Sequence, residues 1–362
     1  MQSIIEATYH VRSDAQSIAD RARAIAVEQS VEMPLDAIDD AYVNAEIVGR
    51  VRELRDLGDG TFAVRIALAA ATVGNDAGQL INMLFGNTSI HDDVVLHDVE
   101  FADDLVRGFG GPRHGLAGLR QRVGATRRAL TCAALKPQGL PAEKLAALAL
   151  RFAQGGIDYI KDDHGLADQA YSPFADRVAA VTAALRRHGT ATRYVPSLSG
   201  DLDALRKQIA VAKDAGIDTV MVAPMIAGLA NVHRLVQDNP GMAFLGHPSL
   251  AGPRIAPQLL FGKLFRMLGA DAVVYPNYGG RFGYSPETCR ALARAALADW
   301  HGLKPCVPTP AGGMTPERVA EMLDFYGADI MLLIGGGLLA ARDRLIKETA
   351  AFVAAVKDHR YG

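Results

Sequence analysis

Cysteine is scarce in this chain of 362 residues, and its cysteines form no pattern. Cys132, Cys289 and Cys306 are far apart, odd in number and without CxxC spacing, so the sequence predicts neither a disulfide framework nor a zinc site. A chain without these features fits a reducing compartment. We therefore expect a cytoplasmic protein.

An excess of charge of one sign is also missing. The chain has 38 Lys and Arg against 40 Asp and Glu, a formal net charge of −2, which gives no electrostatic reason to expect nucleic acid or an anionic membrane as a partner. No apolar run reaches the roughly 18 residues that a membrane helix needs. The sequence also does not open with the basic and apolar segments of a signal peptide, so we expect no nucleic-acid or membrane partner.

The first hundred residues alternate between strand and helix patterns. Ile5, Ala7, Tyr9 and Val11 alternate with polar residues, which indicates a strand. Ser13-Asp14 is predicted to cap a helix that runs to about Val27. The segments that follow are predicted as strand over 43–55, strand over 61–71, helix over 79–85 and strand over 93–101. Strands around two helices predict an N-terminal α+β, ferredoxin-like domain over residues 1–107.

A Gly/Pro-rich boundary, Gly108-Phe109-Gly110-Gly111-Pro112, precedes a different pattern. Eight short apolar runs alternate with helical segments; the runs are Thr131–Leu135, Tyr159–Lys161, Tyr194–Leu198, Thr219–Pro224, Ala243–His247, Ala272–Pro276, Cys306–Pro310 and Ile330–Ile334. Apolar strands separated by helices indicate a parallel sheet covered on both faces. Eight such units predict an α/β fold with a C-terminal (β/α)8 TIM barrel over residues 108–362 rather than an open doubly wound sheet.

A short motif repeats within the predicted barrel. Gly156, Gly216, Gly269 and Gly327 each begin a Gly-x-Asp triplet before the even-numbered runs. Glycine suits the helix C-terminal position that needs positive φ. The motif indicates a repeating unit of two βα pairs.

Charged residues follow the strand ends of the predicted barrel. Lys161-Asp162-Asp163-His164 follows the second run and Lys136 the first, and barrel active sites form at such carboxyl ends. Strand alternation puts Lys161 and Asp163 on one face. Asp163 with a neighbouring oxygen ligand would suit Mg²⁺, but a lysine ammonium has no lone pair for a metal. On these residues alone, a structural Lys161–Asp163 ion pair is an equal alternative.

Other features at the strand ends have both a functional and a structural interpretation. Lys136 is a candidate acid–base residue, because partial burial lowers a lysine pKa, although alone it fits a solvated loop lysine better. His247 is either functional or a structural histidine. Gly312-Gly313 and Gly335-Gly336-Gly337 favour phosphate binding by backbone N–H groups over simple tight turns. Arg127-Arg128 is interpreted as a solvated face.

These residues, in this order, resemble the RuBisCO large-chain superfamily over nearly the whole chain. The matching stretches are Cys132–Leu140, Gly155–Asp163, Gly312-Gly313 and Gly335–Gly337. The second, a GGxDxxKDD pattern, is the most specific. The resemblance implies an N-terminal domain before a barrel and a homodimer in which active sites form between two subunits.

The resemblance also implies roles for the candidate residues. Lys161 would carry a CO₂-derived carbamate and bind Mg²⁺ together with Asp163, while His164 stands where the family has a third ligand, a glutamate. Lys136 would be the acid–base residue that acts on the enediolate, with the Lys161 carbamate as the alternative catalytic group for moving the proton. His247 would contact the substrate.

Further residues would bind the substrate at its periphery. Gly312, Gly313, Gly335 and Gly336 would hold its phosphate, as glycines of the family do. The N-terminal domain of the partner subunit would contribute the residues that match Glu28 and Asn87.

Departures from the family argue against CO₂ fixation. Gln138 replaces a second lysine of loop one, Val274 replaces a strand-six histidine, and the loop-six lysine falls near Arg281, a candidate substrate-binding residue. Ala311 replaces the serine before the phosphate glycines, and Met33-Pro34 replaces a Thr-Trp pair. The chain thus resembles the form IV, RuBisCO-like group, which keeps enolisation without carboxylase activity.

The resemblance implies metal-assisted enolisation of a small phosphorylated keto-sugar or sugar acid, such as isomerisation of 5-methylthioribulose 1-phosphate. The alternatives are a decarboxylase or transcarboxylase of a 3-oxo sugar-acid phosphate in apiose breakdown, the diketo-phosphate enolase of methionine salvage, and a non-catalytic barrel that binds a sugar phosphate. Asn87 argues mildly against the enolase, which has a lysine near this position. His164 is a softer ligand than carboxylate and favours Mn²⁺, Fe²⁺ or Zn²⁺ over Mg²⁺. The alternative is a site without a metal, in which Lys161 acts as a free amine.

Overall fold

The computed structural model describes residues 3–280 and 282–361, which form two compact units. One unit comprises the chain up to Gly111 together with Ala251–Leu260, and the other comprises Pro112–Leu250 and the chain from Phe261 onward. The domain boundary predicted between residues 107 and 108 stays a prediction. None of the helices in the described residues is long and apolar enough to cross a membrane.

The elements are numbered in chain order. The strands are β1 (Ile4–Arg12), β2 (Arg50–Asp56), β3 (Thr61–Ala69), β4 (Val94–Glu100), β5 (Leu130–Leu135), β6 (Tyr159–Asp162), β7 (Arg193–Val195), β8 (Thr219–Val222), β9 (Ala243–Gly246), β10 (Ala272–Pro276), β11 (Val307–Ala311) and β12 (Met331–Ile334). The helices are α1 (Ile18–Glu28), α2 (Ala77–Phe85), α3 (Asp103–Phe109), α4 (Gly115–Val123), α5 (Ala142–Gln154), α6 (Phe174–His188), α7 (Leu202–Asp214), α8 (Pro224–Ala227), α9 (Leu229–Asp238), α10 (Pro257–Leu259), α11 (Phe265–Met267), α12 (Pro286–Leu297), α13 (Val319–Tyr326), α14 (Gly336–Leu339) and α15 (Leu345–Asp358).

The first unit contains an antiparallel sheet in the order β2-β3-β1-β4. Along β1, the side chains of Ile5, Ala7, Tyr9 and Val11 are fully buried, as expected for a strand with one face toward the core. The element order β1-α1-β2-β3-α2-β4 with this strand order is ferredoxin-like. The predicted α+β domain is confirmed.

Two N-terminal predictions are wrong in detail. The strand predicted over 43–55 begins only at Arg50, because Val43–Ile47 is a π-helical turn without a buried side chain that a sheet face would need. The helix predicted directly after a Ser13-Asp14 cap begins later, at Ile18. The carboxylate of Asp14 accepts the backbone N–H groups two and three residues ahead, at 2.9 and 2.8 Å, and holds this segment in a turn instead.

In the second unit, the strands β5 to β12 are parallel and follow one another around a barrel. The two hydrogen-bonded groups run β12-β5-β6-β7 and β8-β9-β10-β11, and the N–H of Leu198 donates to the carbonyl of Met221 at 2.8 Å where the first group meets the second. Each of the eight predicted runs overlaps one of these described strands. β7 ends at Val195 because Pro196 has no N–H for the ladder. The predicted (β/α)8 barrel is confirmed.

Side chains alternate between the barrel interior and the helix layer. Cys132, Tyr159 and Val274 belong to the inner cluster, whereas Ala133 and Ile160 pack against the helices. Neighbours on β6 therefore point to opposite sides, as strand alternation predicts.

The Gly-x-Asp repeats lie at the amino ends of the even-numbered barrel strands. Gly156, Gly216, Gly269 and Gly327 have φ angles of 79, 70, 107 and 79°. The predicted positive φ at the end of each preceding helix or turn is confirmed.

The aspartate of the first repeat is buried in a dense hydrogen-bond network. Arg128 donates to both oxygens of Asp158 at 2.6 and 2.7 Å, and Thr131 donates its N–H and its hydroxyl at 2.8 and 2.9 Å. Asp158 is 5% exposed. The interpretation of Arg127-Arg128 as a solvated face is wrong for Arg128, because a buried carboxylate needs a cation beside it.

The other repeat aspartates bind the same segment of the chain, residues 114–128. Asp218 lies 3.3 Å from Nε of Arg122, and Asp329 lies 2.8 Å from a terminal nitrogen of Arg120. Asp271 accepts two backbone N–H groups at the start of α4, both at 2.7 Å. One segment thus holds all the repeats at the amino end of the barrel, opposite the end that carries the chemistry.

Candidate active site

An ion pair joins the loops that follow β5 and β6. Nζ of Lys136 lies 2.7 Å from Oδ1 of Asp163, and Nδ1 of His164 lies 3.3 Å from the same oxygen. The two strands are parallel neighbours, so their carboxyl ends bring these side chains together. The structure thus places three predicted site residues in one cluster.

The carboxylate of Asp163 is charged and almost fully buried, with 8% of its side chain exposed. Burial on its own would raise the pKa of Asp163, but hydrogen bonds from His164 and Lys136 and the charge of Lys136 hold this pKa well below its usual range. Asp163 therefore offers a carboxylate, rather than a carboxylic acid, to a cation at this end of the barrel.

Lys161 lies on the inner face of β6 and is 3% exposed. Its Nζ donates to the backbone carbonyl of Asp162 at 2.9 Å, and burial lowers its pKa below the usual lysine value. Between Lys161 and Asp163, both of which the structure describes, no ion pair forms, because Asp163 pairs with Lys136. The structural alternative, an ion pair between Lys161 and Asp163, is therefore wrong.

Asp162 points to the opposite side of β6, toward the helix layer. It accepts hydrogen bonds from Arg177 at 3.0 Å, from the hydroxyl of Tyr194 at 2.7 Å and from the backbone N–H of Ser197 at 3.1 Å. Asp162 and Arg177 are completely buried. This network fixes the strand end that carries Lys161 and Asp163, and the sequence pattern did not reveal it, because Arg177 comes from a helix without a motif.

His247 follows β9 and joins the cluster by stacking. Its ring lies 4.5 Å from that of His164, with 13° between the planes. Nδ1 of His247 accepts the N–H of Ser249 at 3.3 Å, so the neutral ring carries its proton on Nε2. Burial, reinforced by the charge of Lys161, lowers the pKa of His247 to about 2. The imidazole is thus a neutral hydrogen-bond donor.

The predicted phosphate glycines form turns after β11 and β12. Gly312 and Gly313 have φ angles of 83 and 67°, which only glycine adopts readily. A Cβ atom placed at Gly335 would lie 3.8 Å from Cε of Lys136, and one placed at Gly336 would meet no atom within 4 Å. The β12 turn is therefore next to Lys136, and its backbone is open to a ligand.

The residues predicted to serve a partner subunit lie together in the first unit. Nδ2 of Asn87 donates to Glu28 at 2.9 Å and also to Glu32 at 3.0 Å. Glu32, which the sequence did not single out, has a φ of 52°. Arg281, a predicted substrate-binding residue, lies outside the described residues.

A divalent cation fits this site only under one condition. Among residues 3–280 and 282–361, no group of three His, Cys, Asp or Glu side chains is arranged to hold a metal. Asp163 and His164 supply two donors, and Lys161, buried on the inner face of β6, is the predicted third group. Because an ammonium cannot ligate, the donor set is complete only if Lys161 carries an added oxygen donor.

Residues that sequence reasoning missed hold the β11 turn from outside. Arg318, just before helix α13, donates to the carbonyl of Gly313 in this turn. Glu321, on α13, accepts hydrogen bonds from Arg318 and from the hydroxyl of Tyr278 in the loop after β10. The glycine pair Gly279-Gly280 after the sixth run was the available signal, since two glycine pairs on adjacent barrel strands indicate loops in close contact.

A parallel (β/α)8 barrel with a lysine, a carboxylate and two histidines at its carboxyl end, beside glycine turns, defines a barrel enzyme. The family model of the ribulose bisphosphate carboxylase large chain, catalytic domain, matches residues 115–351. The chain belongs to this family, which confirms the resemblance seen in the sequence.

Several proteins that this chain is similar to carry names other than carboxylase. The chain is 61% identical to the 5-methylthioribulose-1-phosphate isomerase of Rhodospirillum rubrum, over 98% of this chain and 97% of that one. It is 30% identical to the 2,3-diketo-5-methylthiopentyl-1-phosphate enolase of Geobacillus thermodenitrificans, over 98% and 92% of the two chains. The crystal structure of a RuBisCO-like protein from Rhodopseudomonas palustris, 51% identical, covers all of both chains with a TM-score of 0.93.

Proposed function

We propose that this chain isomerises 5-methylthioribulose 1-phosphate by enolisation. The single observation that carries the proposal is the 61% identity, over nearly full length, to a protein named for that reaction. The site supports it chemically, since Lys136, Lys161, Asp163 and His247 provide the proton-transfer and charge-stabilising groups that enolisation needs.

The reaction moves a carbonyl group along the sugar without net oxidation. A proton leaves the carbon next to the ketone, an enediolate forms, and a proton returns to the former carbonyl carbon. Lys136, between Asp163 and the Gly335 turn, is placed to move this proton. Nε2–H of His247, neutral at assay pH, donates to an enediolate oxygen.

A divalent cation, Mg²⁺ or Mn²⁺, would supply Lewis-acid stabilisation of the developing negative charge. Asp163, His164 and a CO₂-derived carbamate on Lys161 would hold it. The lowered pKa of Lys161 supports this carbamate, because only the unprotonated amine reacts with CO₂.

Carbamylation is tested by ¹³C-bicarbonate labelling with and without Mg²⁺ or Mn²⁺. We expect a carbamate ¹³C signal that is absent from Lys161→Met, and activity that is lost on chelation and restored by metal with bicarbonate. Full activity of chelated protein with an unmodified lysine would refute the metal and the carbamate together.

The substrate phosphate would sit on the turns at Gly312-Gly313 and Gly335-Gly336, with Arg281 as a further contact. The positive φ angles of the first pair and the open space at Gly336 support this position, because side chains there would keep an anion from the backbone N–H groups.

The three cysteines of the sequence are free and buried, which is consistent with a cytoplasmic site of action.

We further propose a homodimer in which Glu28 and Asn87 of one subunit complete the site of the other. Mixing the inactive variants Glu28→Gln and Lys161→Met would restore about a quarter of wild-type activity by random pairing in a two-fold dimer. A mixture as inactive as its components would contradict the shared site.

The function is tested by incubating the protein with 5-methylthioribulose 1-phosphate in D₂O and following the products by NMR. We expect an isomeric ketose phosphate and deuterium at the carbons that are deprotonated. Exchange and turnover with the diketo phosphate instead would favour the enolase, and release of CO₂ from a 3-oxo sugar-acid phosphate would favour the decarboxylase. Binding without exchange in any of the three would indicate a non-catalytic barrel.

A further inference from the structure

The loop after β10 is packed directly on the glycine turn after β11. A Cβ atom placed at Gly313 would lie 2.7 Å from Cα of Gly280, and one placed at Gly280 would lie 2.8 Å from the carbonyl oxygen of Gly312. The N–H of Asn277 donates to the carbonyl of Ala311 at 2.8 Å. At these distances the turn and the loop cannot move independently.

One guanidinium group bridges the two segments. Nη1 of Arg318 donates to the carbonyl of Gly313 at 3.2 Å and to that of Tyr278 at 3.4 Å. The guanidinium carbon also lies 5.2 Å from the centre of the Tyr278 ring, within the range of a cation–π contact.

A carboxylate holds the guanidinium in this orientation. Glu321 accepts hydrogen bonds from Nε and Nη2 of Arg318 at 2.9 and 2.7 Å, which is the bidentate geometry. The same carboxylate accepts the hydroxyl of Tyr278 at 2.8 Å. Arg318, Glu321 and Tyr278 thus form a closed set of contacts, which we call the loop clamp.

Helix α13 anchors the loop a second time. The hydroxyl of Tyr326 donates to Oδ1 of Asn277 at 2.7 Å, and the amide of Asn277 contacts the sulfur atoms of Met314 and Met322 at 3.2 and 3.1 Å. Asn277 is 1% exposed. The base of the loop is therefore rigid, and the loop clamp acts on a fixed support.

The carbonyl contact determines which way a peptide faces. In a planar trans peptide the C=O and the following N–H point in opposite directions. By holding the carbonyl of Gly313, Arg318 turns the N–H of Met314 away from itself. A surface i,i+3 ion pair on a helix would not need these bonds to carbonyls of two other loops.

We propose that Arg318 is a positioning residue, which holds the Gly312-Gly313 turn and the loop after β10 in the one arrangement that binds the substrate phosphate. This inference rests on the proposed function in assigning phosphate to the turn. Arg318 itself does not contact the substrate in this proposal.

The experiment compares Arg318→Ala with wild type in substrate turnover and in binding of inorganic phosphate. Losing charge-assisted hydrogen bonds to both loops should raise KM and the dissociation constant of phosphate by about tenfold, with kcat changed far less. Arg318→Lys should fall in between, because one ammonium cannot replace a planar fork. Glu321→Gln, which keeps the shape of the side chain, should shift both constants in the same direction.

The control is Arg344→Ala, because Arg344, exposed just before α15, pairs with Glu348 of that helix at 3.0 Å and touches neither loop. It should leave both constants unchanged. Equal phosphate affinity and KM for wild type and Arg318→Ala, in protein of unchanged fold by circular dichroism, would overturn the inference while the proposed function stands. A second outcome is possible: the wild type shows no turnover, and Arg318→Ala still weakens phosphate binding. This result would refute the isomerase and support the positioning role of Arg318.

Discussion

Nζ of Lys136 lies 2.7 Å from Oδ1 of Asp163. The proposed acid–base residue is thus ion-paired with the proposed metal ligand. A cation that binds Asp163 competes with the ammonium of Lys136 for the same oxygen. Metal binding and release of Lys136 are therefore coupled.

We predict that Lys136→Met slows turnover and also strengthens metal binding. Turnover should fall by about 10²- to 10⁴-fold, the usual contribution of an acid–base residue. The affinity for Mn²⁺ should rise, because no side-chain cation then competes for Asp163. NMR of deuterium exchange and calorimetric titration with Mn²⁺ measure the two effects.

The matched control is Lys144→Met, which removes an exposed lysine of α5. It should change neither quantity. A Lys136→Met protein with unaltered Mn²⁺ affinity would show that the ion pair does not compete with a metal.

We predict that His164→Glu shifts the metal preference from Mn²⁺ toward Mg²⁺. Carboxylate oxygen is the harder ligand, and the substitution adds a negative charge beside the cation. The variant also loses the stack on the ring of His247, so kcat should be measured together with metal affinity. His188→Glu, at the exposed end of α6, is the control. Unchanged relative affinities for the two ions would place the metal away from residue 164.

We predict that Gly313→Ala weakens phosphate binding, whereas Gly189→Ala leaves phosphate binding unchanged. Both glycines have a φ of 67°, so both alanine variants carry the same backbone strain, about 1 kcal/mol. Only at Gly313 would the new methyl group meet a neighbour, Cα of Gly280 at 2.7 Å; at Gly189 nothing lies within 4 Å. The KM for substrate should rise by about tenfold or more in Gly313→Ala alone. Similar KM values for both variants would show that the Gly312-Gly313 turn does not bind the substrate phosphate.

We predict that Asp158→Ala destabilises the protein by about 3–5 kcal/mol, the usual cost of leaving one member of a buried ion pair without its partner. The variant leaves Arg128 without a carboxylate at the amino end of the barrel. Urea unfolding followed by circular dichroism gives the free energy of unfolding. Asp203→Ala, at a side chain that is 82% exposed, should stay within about 0.5 kcal/mol of wild type. An equally small effect of Asp158→Ala would contradict the role assigned to the buried network.

The sequence predicted the features that follow from local periodicity. The barrel strands and the positive φ of Gly156, Gly216, Gly269 and Gly327 were predicted, because apolar runs and glycine positions reflect local backbone conformation. The order of strands then placed Lys136, Asp163 and His164 at one end.

Pairings between distant side chains were not predicted. Arg128 was interpreted as solvated although it binds Asp158. One of the two alternatives for Asp163 was an ion pair with Lys161, whereas its partner in the structure is Lys136. The loop clamp was missed altogether, because Arg318 and Glu321 form an ordinary i,i+3 pair in sequence and only the fold brings Tyr278 to them. Which partner a charged side chain finds depends on tertiary distances that periodicity does not contain.

The segment over residues 114–128 bears on how the barrel folds. It precedes every barrel strand, yet one of its partners, Asp271, is 157 residues away from His114, and the carbonyl of Ala328 is 208 residues from Arg120. Contacts so distant along the chain form only after a large loss of chain entropy. The amino end of the barrel is therefore held by contacts of high sequence separation, and we expect the domain to fold more slowly than one of similar size with mainly local contacts.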